Sequence, residues 1–188
     1  MIATPHLPQI TVEEYLDWEP RQEIRHEYWD GEVIAMTGGT IPHNDIALNL
    51  YTALRPHVRV RGCRVNVADV KVQVSPTLYF YPDLLVSCDT RDQAAMKLIQ
   101  FPKLIVEVLS PSTASSDRGD KFRAYHKLSS LQEYVLIDSE AVSVECYRRS
   151  ERRRWIYEPY TEGDTILLES IEFSCAIDLL YENVTLTE

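Results

Sequence analysis

The chain has 188 residues, and its 19 Lys and Arg against 29 Asp and Glu give a formal net charge of −10. A hydrophobic content of 45% and a charged content of 26% are ordinary for globular proteins and exclude a disordered or fibrous chain. No run approaches the roughly 18 apolar residues that a membrane-spanning helix needs, and the first ten residues lack the pattern of a secretory signal. We expect one domain over residues 1–188, a cytoplasmic location and no membrane contact.

The N-terminal third begins with two local signals. Thr11 and the Glu three residues later have the spacing of a capping box, which predicts a short helix that ends before Pro20. The segment 26–36 predicts a β-hairpin with its turn at Asp30-Gly31, a dipeptide that favours two-residue turns. An N-terminal helix followed by a hairpin is therefore expected.

Two long helices and several strands follow. Apolar residues at helical spacing predict a helix over 43–60, with Pro56 as a stop or kink, and a second helix over about 116–128. The predicted strands are Cys63–Val74, Tyr79–Val86, Lys103–Leu109, Glu133–Asp138, Val142–Tyr147 and Trp155–Tyr160, before a short terminal helix over Ala176–Tyr181. This order is typical of an α/β fold with a mixed sheet.

The four cysteines are spread widely along the chain. Cys63, Cys88, Cys146 and Cys175 form no Cys-x-x-Cys pair. Zinc sites favour short paired spacings, and disulfide scaffolds are denser in cysteine than this chain. We therefore expect all four to be reduced and mostly buried small hydrophobic residues.

Two acidic residues stand inside apolar, strand-like segments. Strand alternation places Asp83 on one face with Tyr79 and Tyr81, and it places Glu107 on one face with apolar neighbours. Burying a carboxylate costs several kcal/mol unless a cation or hydrogen-bond donors compensate it. Each of these two acids therefore needs a partner.

A divalent cation held by both carboxylates would supply that partner. Mg²⁺ is typically bound by one or two carboxylates, keeps several waters and takes phosphate oxygens as further ligands, and Mn²⁺ suits the same oxygen ligands. The alternative is that Asp83 and Glu107 each pair with an arginine or with backbone N–H groups. The residues by themselves leave both interpretations open.

Motifs along the chain resemble the Uma-type restriction endonucleases, a bacterial branch of the PD-(D/E)XK superfamily. In chain order they are Arg25-His-Glu-Tyr-Trp-Asp-Gly-Glu32, His43, Tyr81-Pro-Asp83, Leu104-Ile-Val-Glu-Val-Leu-Ser-Pro-Ser-Thr113, Asp117-Arg-Gly-Asp-Lys121, Tyr125 and Glu133-Tyr-Val-Leu-Ile-Asp138. The likeness covers roughly residues 11–181. It implies a restriction-endonuclease-like mixed sheet flanked by helices, with Asp83 and Glu107 as ligands of Mg²⁺ or Mn²⁺.

The chain departs from the superfamily at its lysine. The position two residues after Glu107 is Leu109, where the superfamily has the Lys that assists the attacking water. The resemblance instead matches Asp117 and Lys121 to a displaced pair on the following helix, with Lys121 as the catalytic lysine. From spacing alone, Asp117 and Lys121 are equally explained as a surface ion pair four residues apart.

Two further residues are candidates for supporting roles. The resemblance matches Glu27 to an acid of the family's hairpin, which makes it a possible third metal ligand, and its alternative is an exposed hairpin acid. His43, at the start of a predicted helix, is a candidate contact to phosphate or metal. A histidine at that position is more often a capping or packing residue.

Two clusters of arginines are candidate contacts to a nucleic-acid backbone. The acidic total argues against tight non-specific coating of DNA, but local basic patches matter more than the sum. The alternative for both clusters is solvated surface or subunit contacts. The first cluster, which has no acid within it, is Arg55, Arg59, Arg61 and Arg64, and the second is Arg148, Arg149, Arg152, Arg153 and Arg154.

The leading hypothesis is a metal-dependent endonuclease that hydrolyses DNA and acts as a homodimer. Asp83 and Glu107 would hold the metal, and Lys121 would orient the attacking water. The homodimer is expected from the family likeness, because two copies match two cuts on a duplex. The alternative is a catalytically inactive nuclease-fold protein that serves as a binding or self-association module.

Overall fold

The computed structural model describes residues 9–36, 38–152 and 154–186. Two parts of the predictions lie outside these residues. They are residues 1–8 of the N-terminal segment without a secretory signal pattern, and Arg153 of the second arginine cluster. Within them the strands are β1 His26–Trp29, β2 Glu32–Ala35, β3 Arg64–Val67, β4 Lys71–Ser75, β5 Leu78–Phe80, β6 Leu84–Ser87, β7 Leu98–Ile99, β8 Leu104–Leu109, β9 Glu133–Asp138, β10 Ser143–Arg149, β11 Trp155–Thr161, β12 Thr165–Leu168 and β13 Phe173–Ala176.

The helices are mostly short. They are α1 Val12–Trp18, α2 Ile41–Arg59, α3 Thr90–Gln93, α4 Ala114–Ser116 and α5 Phe122–Tyr125, with a π-helix at Asp117–Lys121 and 3₁₀ turns at Glu19–Arg21, Glu169–Ile171 and Ile177–Leu179. In the part of the chain that the structure describes, no helix is long and apolar enough to cross a membrane.

A six-stranded mixed sheet forms the centre of the molecule, in the order β11-β10-β9-β8-β6-β3. β8 pairs antiparallel with β6 and parallel with β9. All six residues of β8 are buried, which explains its continuous apolar run, because a central strand is covered on both faces. The predicted α/β class and mixed sheet with flanking helices are confirmed.

α2 covers one face of this sheet. Its residues Ile46, Leu50 and Leu54 form one core with Leu84 and Val106 of the central strands. Pro56 lies inside α2. Of the two predicted effects of Pro56, a stop or a kink, the stop is therefore wrong. The helix continues for three residues, to Arg59, before the chain turns back towards β3.

A five-stranded sheet, in the order β2-β1-β5-β4-β7, covers the other side together with the helical segment 114–125. The predicted hairpin is confirmed as β1 and β2, and its turn residues Asp30 and Gly31 have φ of 48° and 106°. The capping box of α1 is also confirmed, with the Thr11 and Glu14 side chains each accepting the other residue's N–H.

Two predicted strands each divide between the two large sheets. The segment 63–74 becomes β3 and β4, with a turn in which Ala68 and Asp69 have φ of 45° and 41°. The segment 79–86 becomes β5 and β6, joined through Tyr81 and Pro82, so the face assigned by alternation through Tyr79, Tyr81 and Asp83 is wrong. Alternation fails there because the strand ends before the acid is reached.

The C-terminal part contains elements that were not predicted. β12 and β13 form a separate hairpin, and the expected terminal helix is reduced to the 3₁₀ turn Ile177–Leu179. The helix expected over 116–128 is shorter and contains the π-helix. π-Bulges inside helices occur frequently at functional sites.

The cysteine prediction is wrong for one pair. Cys63 and Cys88 form a disulfide, whereas Cys146 and Cys175 are free. The antiparallel pairing of Arg64 with Ser87 places the two cysteines opposite each other just beyond the ends of β3 and β6. Their separation of 25 positions in the sequence gave no sign of this pairing.

Candidate active site

Asp83 and Glu107 meet where β6 begins beside β8. Leu84 pairs with Val106 in the antiparallel ladder, and the next pair outward is Asp83 and Glu107. The Asp83 amide donates to Glu107 Oε2 at 3.2 Å, and the Val108 amide donates to Asp83 Oδ2 at 2.7 Å. Each carboxylate is therefore held by the backbone of the opposite strand. The structure brings these two predicted site residues together.

Lys121 enters the same place from the π-helix. Its Nζ lies 3.0 Å from Glu27 Oε1, 3.4 Å from Glu107 Oε1 and 3.6 Å from Asp117 Oδ1. Burial lowers the pKa of Lys121, but attraction to Glu107, Glu27 and Asp117 outweighs it and holds the pKa well above its usual value. Lys121 is therefore a buried cation shared by three acids, and the alternative of an exposed surface pair with Asp117 is wrong.

Glu107 is more deeply buried than Asp83, with 2% of its surface exposed. The Tyr125 hydroxyl donates to its Oε1 at 3.0 Å. Burial raises the pKa of Glu107 well above its usual value, and repulsion by Asp117 and Asp83 adds to the rise, although Lys121 opposes it. In the absence of a further cation, this carboxylate is costly to ionise.

His43 reaches the site from the N-terminal turn of α2. Its Nε2 lies 3.2 Å from Asp83 Oδ2. Burial lowers the pKa of His43, but the hydrogen bond and charge of Asp83 raise it overall. The helix cap is supplied by Thr40, whose Oγ1 accepts from the His43 amide. The structure therefore places the imidazole against the strand acid and gives the capping role to Thr40.

Glu27 is buried, with 6% of its surface exposed, so the alternative of an exposed hairpin acid is wrong. Its Oε1 accepts from the Tyr81 amide at 3.1 Å and faces Lys121, and its Oε2 accepts from Trp29 Nε1 at 3.4 Å. Both oxygens of Glu27 are therefore used by donors of the protein.

Asp117 is the fourth acid of the site. Its Oδ1 is fully buried and has no hydrogen-bond partner among the described residues, although Lys121 lies at 3.6 Å. Burial raises the pKa of Asp117, while Lys121 and a hydrogen bond from Thr113 oppose the rise. A buried carboxylate oxygen without a donor is an unsatisfied acceptor for a cation.

Negative charge exceeds positive charge in this group. We call Glu27, Asp83, Glu107 and Asp117, with Lys121 and His43, the acidic cluster. Four carboxylates face one ammonium and one imidazole, so at least two positive charges are missing when all four acids are ionised. Such an excess favours a divalent cation or protonation of the acids.

The two carboxylates Asp83 and Glu107 suit a metal ion that takes its remaining ligands from water or substrate. In the described residues no group of three His, Cys, Asp or Glu side chains is arranged to enclose a metal ion. Asp83 and Glu107 are two carboxylates side by side, which is the set that Mg²⁺ uses when waters and phosphate oxygens complete its ligands. Glu27 lies closest to Lys121 of the three acids that share it, at 3.0 Å, which fits a role in holding Lys121.

The first arginine cluster lies away from the acidic cluster. Arg55 and Arg59 are exposed, 12 and 16 residues after His43 on α2, so their Cα atoms are roughly 18 and 24 Å from it along the axis. Arg61 faces Glu172 at 3.6 Å, and Arg64 donates to the Asp92 and Ala95 carbonyls.

In the second cluster, the two arginines on β10 are used inside the molecule. Arg148 forms ion pairs with Glu133, Glu158 and Glu169. Arg149 donates to backbone carbonyls, including that of Leu128. For these two residues the alternative to a nucleic-acid contact is favoured, because their donors bind groups of the protein.

Sequence reasoning gave no role to two tyrosines of this site. Tyr125 donates to Glu107, and the Tyr134 hydroxyl donates to the Asp117 carbonyl at 3.0 Å. Both tyrosines therefore stabilise the acidic cluster. Both rings are fully buried. The signal was their position among apolar residues, because a buried tyrosine hydroxyl needs a partner.

Comparison with known proteins agrees with the motifs. Residues 12–179 match the model of the family named Uma2, described as "Putative restriction endonuclease". This chain belongs to the Uma2 family. The match spans both large sheets, α2 and the whole acidic cluster.

Two curated relatives come from Synechocystis sp. "Uncharacterized protein slr1290" is 40% identical over 178 residues, which cover 94% of each chain. "Uncharacterized protein sll1609" is 34% identical over 160 residues, which cover 83% of this Uma2 chain and 89% of the relative. The chain therefore matches these relatives over nearly their full length.

A solved structure shares the fold. It is titled a "putative nuclease belonging to DUF820 from Anabaena variabilis", and it superposes with a TM-score of 0.77 at 20% identity. The superposition covers 92% of this chain and 98% of the other. At that identity the likeness concerns the fold, and it supports the arrangement of two sheets around the acidic cluster.

Proposed function

We propose that this Uma2 chain is a Mg²⁺- or Mn²⁺-dependent endonuclease that hydrolyses phosphodiester bonds in DNA. The observation that carries the proposal is the charge of the acidic cluster, in which three carboxylates share Lys121 and a fourth, Asp83, lies beside Glu107 and His43. The family description supports phosphodiester hydrolysis, and DNA as substrate follows from the same description.

Asp83 and Glu107 are the residues that would hold the ion. They lie side by side, and the backbone donors of the opposite strand keep their carboxylates in place. When bound, a divalent cation supplies charge neutralisation at the scissile phosphate and acidifies a coordinated water. His43, in contact with Asp83, is placed to donate a hydrogen bond to a phosphate oxygen or to orient Asp83.

Lys121 is the candidate for positioning the water. Glu27, Glu107 and Asp117 keep its pKa high, so Lys121 stays protonated and acts as a hydrogen-bond donor rather than as a base. A protonated lysine can orient a water through its lone pair and stabilise negative charge in the transition state. Glu27 and Asp117 are then positioning residues, because they act through Lys121.

Substrate contacts and assembly belong to the same proposal. Arg55 and Arg59 are exposed and would contact the DNA backbone at a distance from the cut, as positioning contacts. Two copies of the chain would act on the two strands of a duplex, which requires a homodimer in solution.

One observation favours a second candidate, a binding module without catalysis. Every acid of the cluster has at least one partner in the protein, and Lys121 occupies the centre in the manner of a structural ion-pair network. Such a module would bind no metal. Calorimetric titration with Mn²⁺ separates the two candidates, because only the nuclease should show heat that disappears in Asp83→Asn.

Plasmid nicking tests the proposal directly. We expect cleavage that requires Mg²⁺ or Mn²⁺, and we expect Asp83→Asn and Glu107→Gln each to reduce the rate at least about 100-fold, since each removes a metal ligand. Glu162→Gln, at an exposed turn, is the matched control and should cleave at the original rate. Retained cleavage in both site variants, or full activity in EDTA, would refute the proposal.

A further inference from the structure

A cavity lies at the other end of β6 from the acidic cluster. It has a volume of about 270 Å³, and Cys63 and Cys88 form part of its wall. Asp83 precedes β6 and Cys88 follows it, so their Cα atoms are roughly 17 Å apart along the strand. This disulfide cavity is therefore separate from the proposed nuclease site.

The disulfide is open to this cavity. Both cysteines are partly exposed, although Cys88 directly follows the buried strand β6. An attacking group must approach a disulfide sulfur directly, so access decides whether exchange is possible. The cavity provides that access, and its volume corresponds to about nine water molecules at ~30 Å³ each.

Basic side chains border the same cavity. Arg61 and Lys103 line it, and Glu172 is the acid in its wall. The Arg61–Glu172 pair is long, at 3.6 Å, and Glu172 is largely exposed, so water screens it. Arg61 Nη1 donates to the His57 carbonyl at 3.2 Å, but 40% of the Arg61 side chain remains exposed for a ligand. The lining therefore has a net positive charge beside two sulfur atoms.

We propose that this cavity binds a small thiol bearing carboxylates and that the Cys63–Cys88 disulfide exchanges with it. The carboxylates would contact Arg61 and Lys103, which places the ligand sulfur near the disulfide. This is a thiol-modification site, and it is independent of the proposed nuclease activity.

The exchange proceeds in two steps that balance. The ligand thiolate attacks one protein sulfur, a ligand–protein disulfide forms, and the Cys63–Cys88 bond breaks with its electron pair leaving on the other cysteine as a thiolate. A second ligand thiolate attacks the ligand sulfur of this mixed disulfide and releases the second cysteine. The protein gains two electrons, and the ligand is oxidised to its own disulfide.

The other two cysteines provide an internal control. Burial raises the pKa of the Cys146 thiol to about 12 and that of Cys175 to about 11, so both remain protonated at neutral pH. The thiolate is the reactive form of cysteine. Mass mapping should therefore find the ligand on Cys63 or Cys88 and not on Cys146 or Cys175.

The experiment compares glutathione with its dimethyl ester on the intact, air-oxidised protein. Both probes have the same thiol, but the ester lacks the carboxylate charges. We expect glutathione, per thiolate, to open the disulfide about tenfold faster at low salt, because a basic cavity concentrates anions. New free thiols are counted by alkylation and mass spectrometry.

Four variants test the lining. Arg61→Gln and Lys103→Gln should each reduce the preference for glutathione, and Glu172→Gln should increase it, because that change removes the opposing charge. Arg59→Gln is the matched control, since Arg59 is a neighbouring exposed arginine outside the lining, and it should leave the preference unchanged. Arg59, Arg61 and Glu172 are exposed and Lys103 is partly exposed, so none of the four substitutions lies in the buried core.

Three outcomes overturn the proposal. The first is that Cys63 and Cys88 are free thiols in the air-oxidised protein. The second is that glutathione and its ester react equally fast per thiolate. The third is that the preference persists when both Arg61 and Lys103 are replaced. Since none of these readouts measures cleavage, failure of the nuclease proposal leaves this test unaffected.

Discussion

Two buried glutamates on neighbouring parallel strands are held in contrasting ways. Glu133, at the start of β9, has no exposed surface and accepts from Arg148 Nε at 2.9 Å, from the Glu169 amide at 3.0 Å and from the Ser170 amide at 2.8 Å. Its charge is matched by an arginine and two backbone donors. Glu133 is a structural acid that joins β9, β10 and the segment after β12.

Glu107, on β8, shares its cation with other acids. Lys121 divides its charge among Glu107, Glu27 and Asp117, and Asp83, beside Glu107, is paired with His43. Burial is the same for Glu107 and Glu133 within a few per cent. Burial of an acid therefore does not identify a functional site, and the local excess of negative charge is what distinguishes the acidic cluster.

The largest expected effect comes from removing the shared cation. Lys121→Met leaves the buried acids uncompensated, so we expect a loss of about 3–5 kcal/mol in the free energy of unfolding at pH 7.5 in EDTA. Urea unfolding measures it, with the exposed Lys127→Met as control. Millimolar Mg²⁺ should restore part of the loss. An unchanged midpoint would show that the acids are already protonated.

The two glutamates should respond to the same substitution with losses of different size. Glu133→Gln places an amide N–H₂ against donors that it cannot satisfy, and we expect a loss of about 2–3 kcal/mol. Glu107→Gln removes repulsion by Asp83 and Asp117 and should cost less than about 1 kcal/mol, while Lys121 keeps two acids. Thermal unfolding of both variants in EDTA checks this. Equal losses would contradict the distinction drawn between the two sites.

The pH dependence of stability should follow the acidic cluster. The folded pKa of Glu107 lies above its ordinary value of 4.5, so the folded protein binds this proton more tightly than the unfolded chain does. Metal-free stability should therefore fall as pH rises from about 4.5 through the raised pKa, by at most about 1.4 kcal/mol per pH unit.

Glu107→Gln provides the reference for that measurement. The difference in unfolding free energy between wild type and Glu107→Gln should become less favourable to wild type between pH 5 and pH 8 in EDTA. Mg²⁺ should reduce the slope, because a bound cation stabilises the ionised carboxylate. A difference independent of pH would mean that Glu107 has the same pKa in the folded and unfolded states.

The smallest effect is expected at the exposed arginines. Arg55→Gln and Arg59→Gln are far from the acidic cluster, so each should weaken DNA binding only a few-fold and reduce the salt dependence by about one phosphate contact. The cleavage rate at saturating DNA should stay unchanged. Binding titrations at several salt concentrations measure this, and unaltered affinity would exclude these arginines from the DNA contact.

Local sequence signals were accurate where the structure depends on neighbouring residues. The capping box at Thr11, the Asp30-Gly31 turn and the strand Glu133–Asp138 are each formed by contacts close in sequence or by an unbroken apolar run. Glu107 was also located correctly in buried, apolar surroundings, whereas Asp83 is partly exposed and lies just before β6. The alternation of side chains could not show where a strand ends, as β5 does before Tyr81 and Pro82.

The sequence pattern could not predict contacts between segments that are distant in the chain. The Glu27–Lys121 ion pair joins the first hairpin to the π-helix, and the Cys63–Cys88 disulfide depends on the register of β3 against β6. The wider i→i+5 turn of a π-helix also leaves no sign in the periodicity of so short a segment. The motifs indicated that Lys121 matters, but they gave no partner for it.

The sequence by itself determined the family, the fold class and the presence of two acids in or beside apolar strands, because side-chain type and short spacing control those features directly. Tertiary structure alone decided how the charges are shared. It brought Glu27 and Glu107 to Lys121 and Asp117, placed Asp83 beside them, and left a deficit of positive charge, since electrostatic balance depends on distances between segments that the linear order does not contain.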